Sequence, residues 1–146
     1  ILRIFLPLNF DMTCVSSYNA VIVSEMEDKS YGPFENEKEA VLSVIREALT
    51  RKFISRKKCL KMTLDTLAMQ CRDEYDEEVI KEIKEEFREE INRLKKMTDE
   101  EFKEKVITEV EENPTASNLE DVCVFYSDHG ENWWVRIEKI EKMEKK

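Results

Sequence analysis

The chain has 146 residues, 33 of them acidic and 24 basic, for a net charge of -9, with only two glycines and three prolines. That length suits a single domain over 1–146, burying roughly two thirds of the surface its unfolded form exposes, and a composition 39% charged suits helices with solvated outer faces. The acidity disfavours nucleic acid as a partner, because the basic runs "RKFISRKK" and "KIEKMEKK" are short and sit beside acidic neighbours.

No apolar run approaches the roughly 20 residues that cross a bilayer, so no membrane role is expected. The opening "ILRIFLPLNF" lacks the basic start and small-residue cleavage pattern of a signal peptide. Since residue 1 is Ile and this opening is already apolar, the chain is expected to begin inside a longer protein or after processing. Cys14, Cys59, Cys71 and Cys123 are scattered with no Cys-x-x-Cys pair, which argues against a zinc knuckle or a redox motif. Four buried free thiols in a reducing, cytoplasmic compartment are preferred over disulfides.

In chain order, Ile1–Leu6 reads as a strand stopped by Pro7, and "YNAVIVSEM" as a second strand whose apolar run Ala20–Val23 suits cover on both faces. "EDKSYGPF", with Gly32 beside Pro33, reads as a loop. From Asn36 the period becomes helical through Ala40, Val41, Val44, Ile45, Ala48 and Leu49, with Asn36 as cap and Glu39 three residues on. This helix is expected to end within "RKFISRKK", where cations favour the negative end of the dipole.

"LKMTLDTLAMQC" mixes Thr with apolar residues in partial alternation and predicts a strand. Ile80, Ile83, Phe87, Ile91 and Leu94 then mark one face of a helix capped by Asp76, with Tyr75 placed to staple onto Ile80. In "MTDEEF" a new helix starts at once: Thr98 and Glu101 have the spacing of a capping box, Met97 can pack on Phe102, and the helix runs until Asn113 and Pro114. "NLEDVCVFY" fits a helix better than a strand, "SDHG" is a turn, and Trp134, Ile137 and Ile140, three apart, predict a tail helix.

Read with their residues, these elements resemble the C-terminal domain of the insulysin (insulin-degrading enzyme) and pitrilysin family of zinc metallopeptidases. The likeness is carried by the strand with its acidic turn in "YNAVIVSEMEDKS", the apolar helix "EKEAVLSVIREALTRKF", a strand and the segment before the next helix in "LAMQCRDEYDEEVI", and the Met-Thr-x-Glu-x-Phe turn of "LKKMTDEEF". It covers about Tyr18 to Glu112, and "WWVRI" is similar to an aromatic-Trp-x-x-Ile patch of that family, after a longer spacer. The resemblance implies an α+β domain, a small mostly antiparallel sheet with helices packed on one face.

That family builds a four-domain chamber whose first domain holds zinc through His-x-x-Glu-His. This chain has one histidine, His129, where a catalytic zinc takes three protein ligands, so no metal or cofactor and no catalysis by the chain alone are expected. Members also hold substrate with an Arg and a Tyr of the C-terminal domain. Arg56, in "SRKKCLKM", lies near the Arg position, while Lys61 and Met62 stand where Gly-Tyr belongs, the mark of a degenerate copy.

Two functions are therefore expected to compete. One is a non-catalytic insulysin-like domain that lines part of a peptide-binding chamber or pairs with a catalytic peptidase chain, with Ile1–Leu6 or "YNAVIV" as strands to which an extended peptide could add if either lay at an edge. The other is an acidic protein-interaction module using Trp133, Trp134 and the charged helices. A sheet with helices on it favours the first, an all-helical bundle the second.

Overall fold

Both ends of the described chain meet in one sheet. The computed structural model describes residues 12–145, in the order β1 (Met12–Ser24), β2 (Asp28–Phe34), α1 (Glu37–Thr50), α2 (Arg56–Arg72), α3 (Glu77–Lys96), α4 (Asp99–Glu112), α5 (Ala116–Tyr126) and β3 (Trp133–Lys145). The strand expected over Ile1–Leu6 lies outside the described residues. β1 is central in the order β2-β1-β3, and both pairings are antiparallel. The domain is thus α+β, with the helices on one face of a small antiparallel sheet.

Strand alternation decides which residues meet the helices. Ala20 and Ile22 of β1 enter the core with Trp133, and Tyr18, Tyr31, Val135 and Ile137 pack against it from the same face. Against that face lies α1, whose Ala40, Val41, Val44, Ile45 and Ala48 are fully buried. Phe102, Val106 and Val110 of α4 and Leu119, Cys123 and Tyr126 of α5 close the other side of the core. The Tyr126 hydroxyl donates to Glu109 Oε1 at 2.6 Å, which keeps the ring's one polar atom partnered.

The capping box is present as the sequence predicts: Thr98 Oγ1 accepts from the Glu101 N–H at 3.0 Å, and Glu101 Oε1 from the Thr98 N–H at 3.3 Å. Asn36 and Asp76 cap their helices through the Glu39 and Glu78 N–H groups. Tyr75, however, is 96% exposed and staples nothing. The cations of "RKFISRKK" do not sit in the last turn of α1 either; that helix stops at Thr50, and Arg56–Lys58 open the next one.

Three larger expectations are corrected. "LKMTLDTLAMQC" is not a strand but most of α2: Thr63 and Thr66 turn their hydroxyls onto the carbonyls of Cys59 and Met62, four residues back, so threonine's β preference, worth at most about 1 kcal/mol, yields to packing against α3. The tail "WWVRIEKIEKMEK" is β3, paired with β1 from Ser24↔Trp133 to Met12↔Lys145 without a break. Trp134 and Ile140 share one sheet face while Ile137 belongs to the other, so their three-residue spacing carries no common stripe.

"EDKSYGPF" forms β2 rather than a loop, and its Pro33 is tolerated because β2 lies at an edge. Gly32 is required there: at φ +121° a Cβ would stand 2.7 Å from Asn19 Oδ1 and 3.0 Å from the Tyr18 carbonyl. Since "YNAVIV" pairs on both sides, it is internal and offers no free edge. Among the described residues no helix is long and apolar enough to cross a membrane.

All four cysteines are free, but not all are buried as expected: Cys59 and Cys123 are, whereas Cys71 is half-buried and Cys14, near the start of β1, is exposed. Burial, helped by Glu90, pushes the Cys59 thiol up to about 11, and burial, helped by Glu120, pushes Cys123 up to about 12. Alkylation of the native protein read by mass spectrometry should mark Cys14 first and Cys71 more slowly, with Cys59 and Cys123 reacting only on unfolding. Rapid native labelling of Cys123 would contradict this packing.

Candidate functional site

The turn between α5 and β3 is built on Asp128. Its Oδ2 accepts from the Asn132 amide at 2.6 Å, its Oδ1 from Lys58 Nζ at 3.4 Å, and its carbonyl from the Glu131 and Asn132 N–H groups. Burial alone would raise the Asp128 pKa, but the hydrogen bonds from Asn132 and Lys58, with the Lys58 charge, outweigh it and hold the carboxyl below its usual range. At the turn's apex Gly130 takes φ +92°, a left-handed conformation that glycine adopts without strain.

This turn folds back on the start of β3. The Gly130 N–H donates to the Trp133 carbonyl at 2.7 Å, and the Val135 N–H donates to His129 Nε2 at 3.1 Å. Both groups point away from β1. Because ladder groups alternate in direction along a strand, the N–H and C=O of Ile137, Lys139 and Glu141 also face outward, and no strand pairs with them among the described residues. The result is an edge of backbone donors and acceptors whose first positions are already held by the turn.

Beside this edge the aromatic rings form a ladder. Trp133 stacks on Phe53 at 5.1 Å between centroids and 21° between planes, His129 meets Trp133 edge-on at 5.2 Å, and the Arg51 guanidinium lies over Phe53 at 4.9 Å. Trp133 is fully buried, and its indole N–H has no acceptor among the described residues. On the outer edge Arg136 pairs with Glu138 and Lys139 with Glu141, charges that discourage indiscriminate strand pairing.

The residues expected to act together lie apart. Trp133 enters the core, whereas its neighbour Trp134, 44% exposed, faces the opposite side of the sheet with Val23. Arg56 is engaged in a brace, donating from Nε to Asp99 Oδ1 at 2.9 Å and from Nη1 to the Leu94 carbonyl at 3.1 Å. It borders a groove of about 250 Å³ that also touches Lys52, Lys57, Glu100 and Lys103. No three His, Cys, Asp or Glu side chains among the described residues are grouped to hold a metal ion. Sequence reasoning missed the β3 edge, although the alternation of Trp133, Val135 and Ile137 with Trp134, Arg136 and Glu138 carries its signal.

Replacing Trp133 by Ala should cost about 3–5 kcal/mol in chemical unfolding and Trp134 by Ala less than about 1 kcal/mol, since only the first empties core volume. Trp133→Phe should cost less than Trp133→Ala, because it keeps a ring and removes the orphan donor. Burial holds the His129 pKa below its ordinary value, so between that lowered value and about 6.5 the unfolded chain takes up a proton that the folded chain does not. Acidification through that window should therefore favour unfolding, and His129→Asn should remove this component of the pH profile. Compared with protein-family models, with curated proteins and with solved structures, the chain matches none of them.

Proposed function

We propose that this domain is a non-catalytic, insulysin-like binding unit that takes an extended peptide or protein segment along the outer edge of β3. In this reading it lines part of a peptide-binding chamber or pairs with a catalytic zinc peptidase chain, in a cytoplasmic setting that its free thiols suit. The observation that carries the binding mode is the outward row of Ile137, Lys139 and Glu141 backbone groups, continuing from positions that the turn already engages by main-chain hydrogen bonds.

Three features of the sequence likeness keep their element type: β1 with its acidic turn, the apolar helix α1 and the capping-box junction before α4. The fourth, "LAMQCRDEYDEEVI", does not: where the likeness expects a strand the chain forms the end of α2, followed by a turn and the start of α3. A sheet with helices on one face supports the peptidase-like reading over an all-helical module. Arg56 contributes to fold bracing and is given no substrate role. The second reading, an acidic interaction module, draws on Trp134, whose exposure on the outer sheet face offers an aromatic anchor.

Unstructured peptides added to the chain should slow amide exchange at Ile137, Lys139 and Glu141 and should remain uncleaved with or without added zinc. Lys139→Pro removes one outward donor while leaving the ladder to β1, and should weaken peptide binding about three- to tenfold with an unchanged circular dichroism spectrum. Undiminished binding by this variant rejects the edge. Loss of binding in Trp134→Ala, with the edge amides unaffected by peptide, favours the interaction module instead.

A further inference from the structure

Helices α2 and α3 form an antiparallel hairpin that two helices alone cannot seal. At its base Cys59, Ile91 and Leu94 are buried, but toward the tip Leu67, Ile80 and Ile83 are only half-buried, and Met69 is 56% exposed. The apolar seam thus opens progressively along the hairpin. A groove of about 300 Å³ with Met62, Thr66 and Phe87 in its wall runs along one side of it.

Charge along the hairpin is polarised. Its tip, 69–84, carries six acidic and three basic residues, net -3, and the longer base, 56–68 with 85–96, carries eight basic and five acidic, net +3. In α3 this order merely suits the helix dipole, with acids in the first turn and cations in the last. In α2 it does not: Arg56, Lys57 and Lys58 crowd the positive N-terminal end, where no acidic residue is present. Arg56 and Lys58 are paired with Asp99 and Asp128. Among the described residues, Lys57 and Lys61, with Lys95 and Lys96 at the end of α3, have no ion-pair partner, and neither do Glu77, Glu78 and Glu82 near the tip.

We propose that two copies of this chain pair through the α2–α3 hairpin in an antiparallel, two-fold arrangement, the acidic tip of each lying on the basic base of the other. The pair closes both seams into a four-helix bundle. Overall charge selects this orientation. The hairpin carries eleven acidic and eleven basic residues, so the whole net charge of -9 resides outside it. Parallel pairing would set the two acidic bodies side by side and tip against tip. Antiparallel pairing separates the bodies by about one helix length, roughly 25–30 Å, well beyond the screening length of about 8–10 Å. This inference is independent of the β3 edge.

Sedimentation equilibrium of the 146-residue chain tests it. The chain should dimerise at low salt and dissociate as salt rises. Reversing the base (Lys57→Glu, Lys61→Glu, Lys95→Glu, Lys96→Glu) or the tip (Glu77→Lys, Glu78→Lys, Glu82→Lys) should weaken the dimer by at least about tenfold. Combining both sets in one chain restores complementarity and should restore the dimer, which also controls for variants that merely fold poorly. A chain monomeric at low salt and high concentration overturns the proposal and leaves the seam to a different protein. So does a dimer that either reversed set leaves equally tight.

Discussion

The burial of α1 between the sheet and the outer helices is the contact on which the rest of the fold depends. Its small and β-branched residues, Ala40, Val41, Val44, Ile45 and Ala48, let it lie close to Ala20 and Ile22 on one side and to Phe102, Val106 and Val110 on the other. Among the described residues no other helix packs on all three strands in this way. Its buried stripe meets both layers while Lys38, Glu39, Arg46 and Thr50 face solvent, so a change in volume at Val44 or Ile45 is felt by both the sheet and α4.

The sheet is closed late in the chain. β3 returns across more than a hundred residues to pair with β1, as in the Thr13 hydroxyl donating to the Glu144 carbonyl at a separation of 131 positions. Such closure gives the sheet a new outer edge whose beginning is set by the Asp128 turn and whose continuation is unpaired among the described residues. Trp133 couples the two: the same residue fills the core beside Phe53 and gives its carbonyl to Gly130. The proposed peptide-binding edge therefore begins beyond the turn, which already occupies the Trp133 carbonyl and the Val135 N–H.

The hairpin of α2 and α3 obeys different physics. Beyond its base it contributes little to the core, and the two helices chiefly hold each other. Its neutrality beside an acidic body gives it a distinct electrostatic character within one chain. A surface of this kind selects partners by the order of charge along its length as much as by apolar area.

Local chemistry in the sequence determined three of the helix starts, because a cap is a contact among residues two or three apart: Asn36, Asp76 and Thr98 with Glu101 all cap the helices that follow them. The continuous run Ala20–Val23 marked a strand, which the structure pairs on both sides, and the helical period from Ala40 to Leu49 marked the helix whose apolar stripe the core buries. Tertiary structure alone decided the rest. Whether "LKMTLDTLAMQC" would be strand or helix turned on α3 lying alongside it, since its threonines satisfy their hydroxyls in either form. Whether "WWVRIEKIEK" would be helix or strand turned on β1, far away in sequence, offering a ladder. The β3 edge and the placing of Trp133 and Trp134 on opposite faces follow from that pairing, because alternation on a strand is expressed only once a partner fixes the strand's plane.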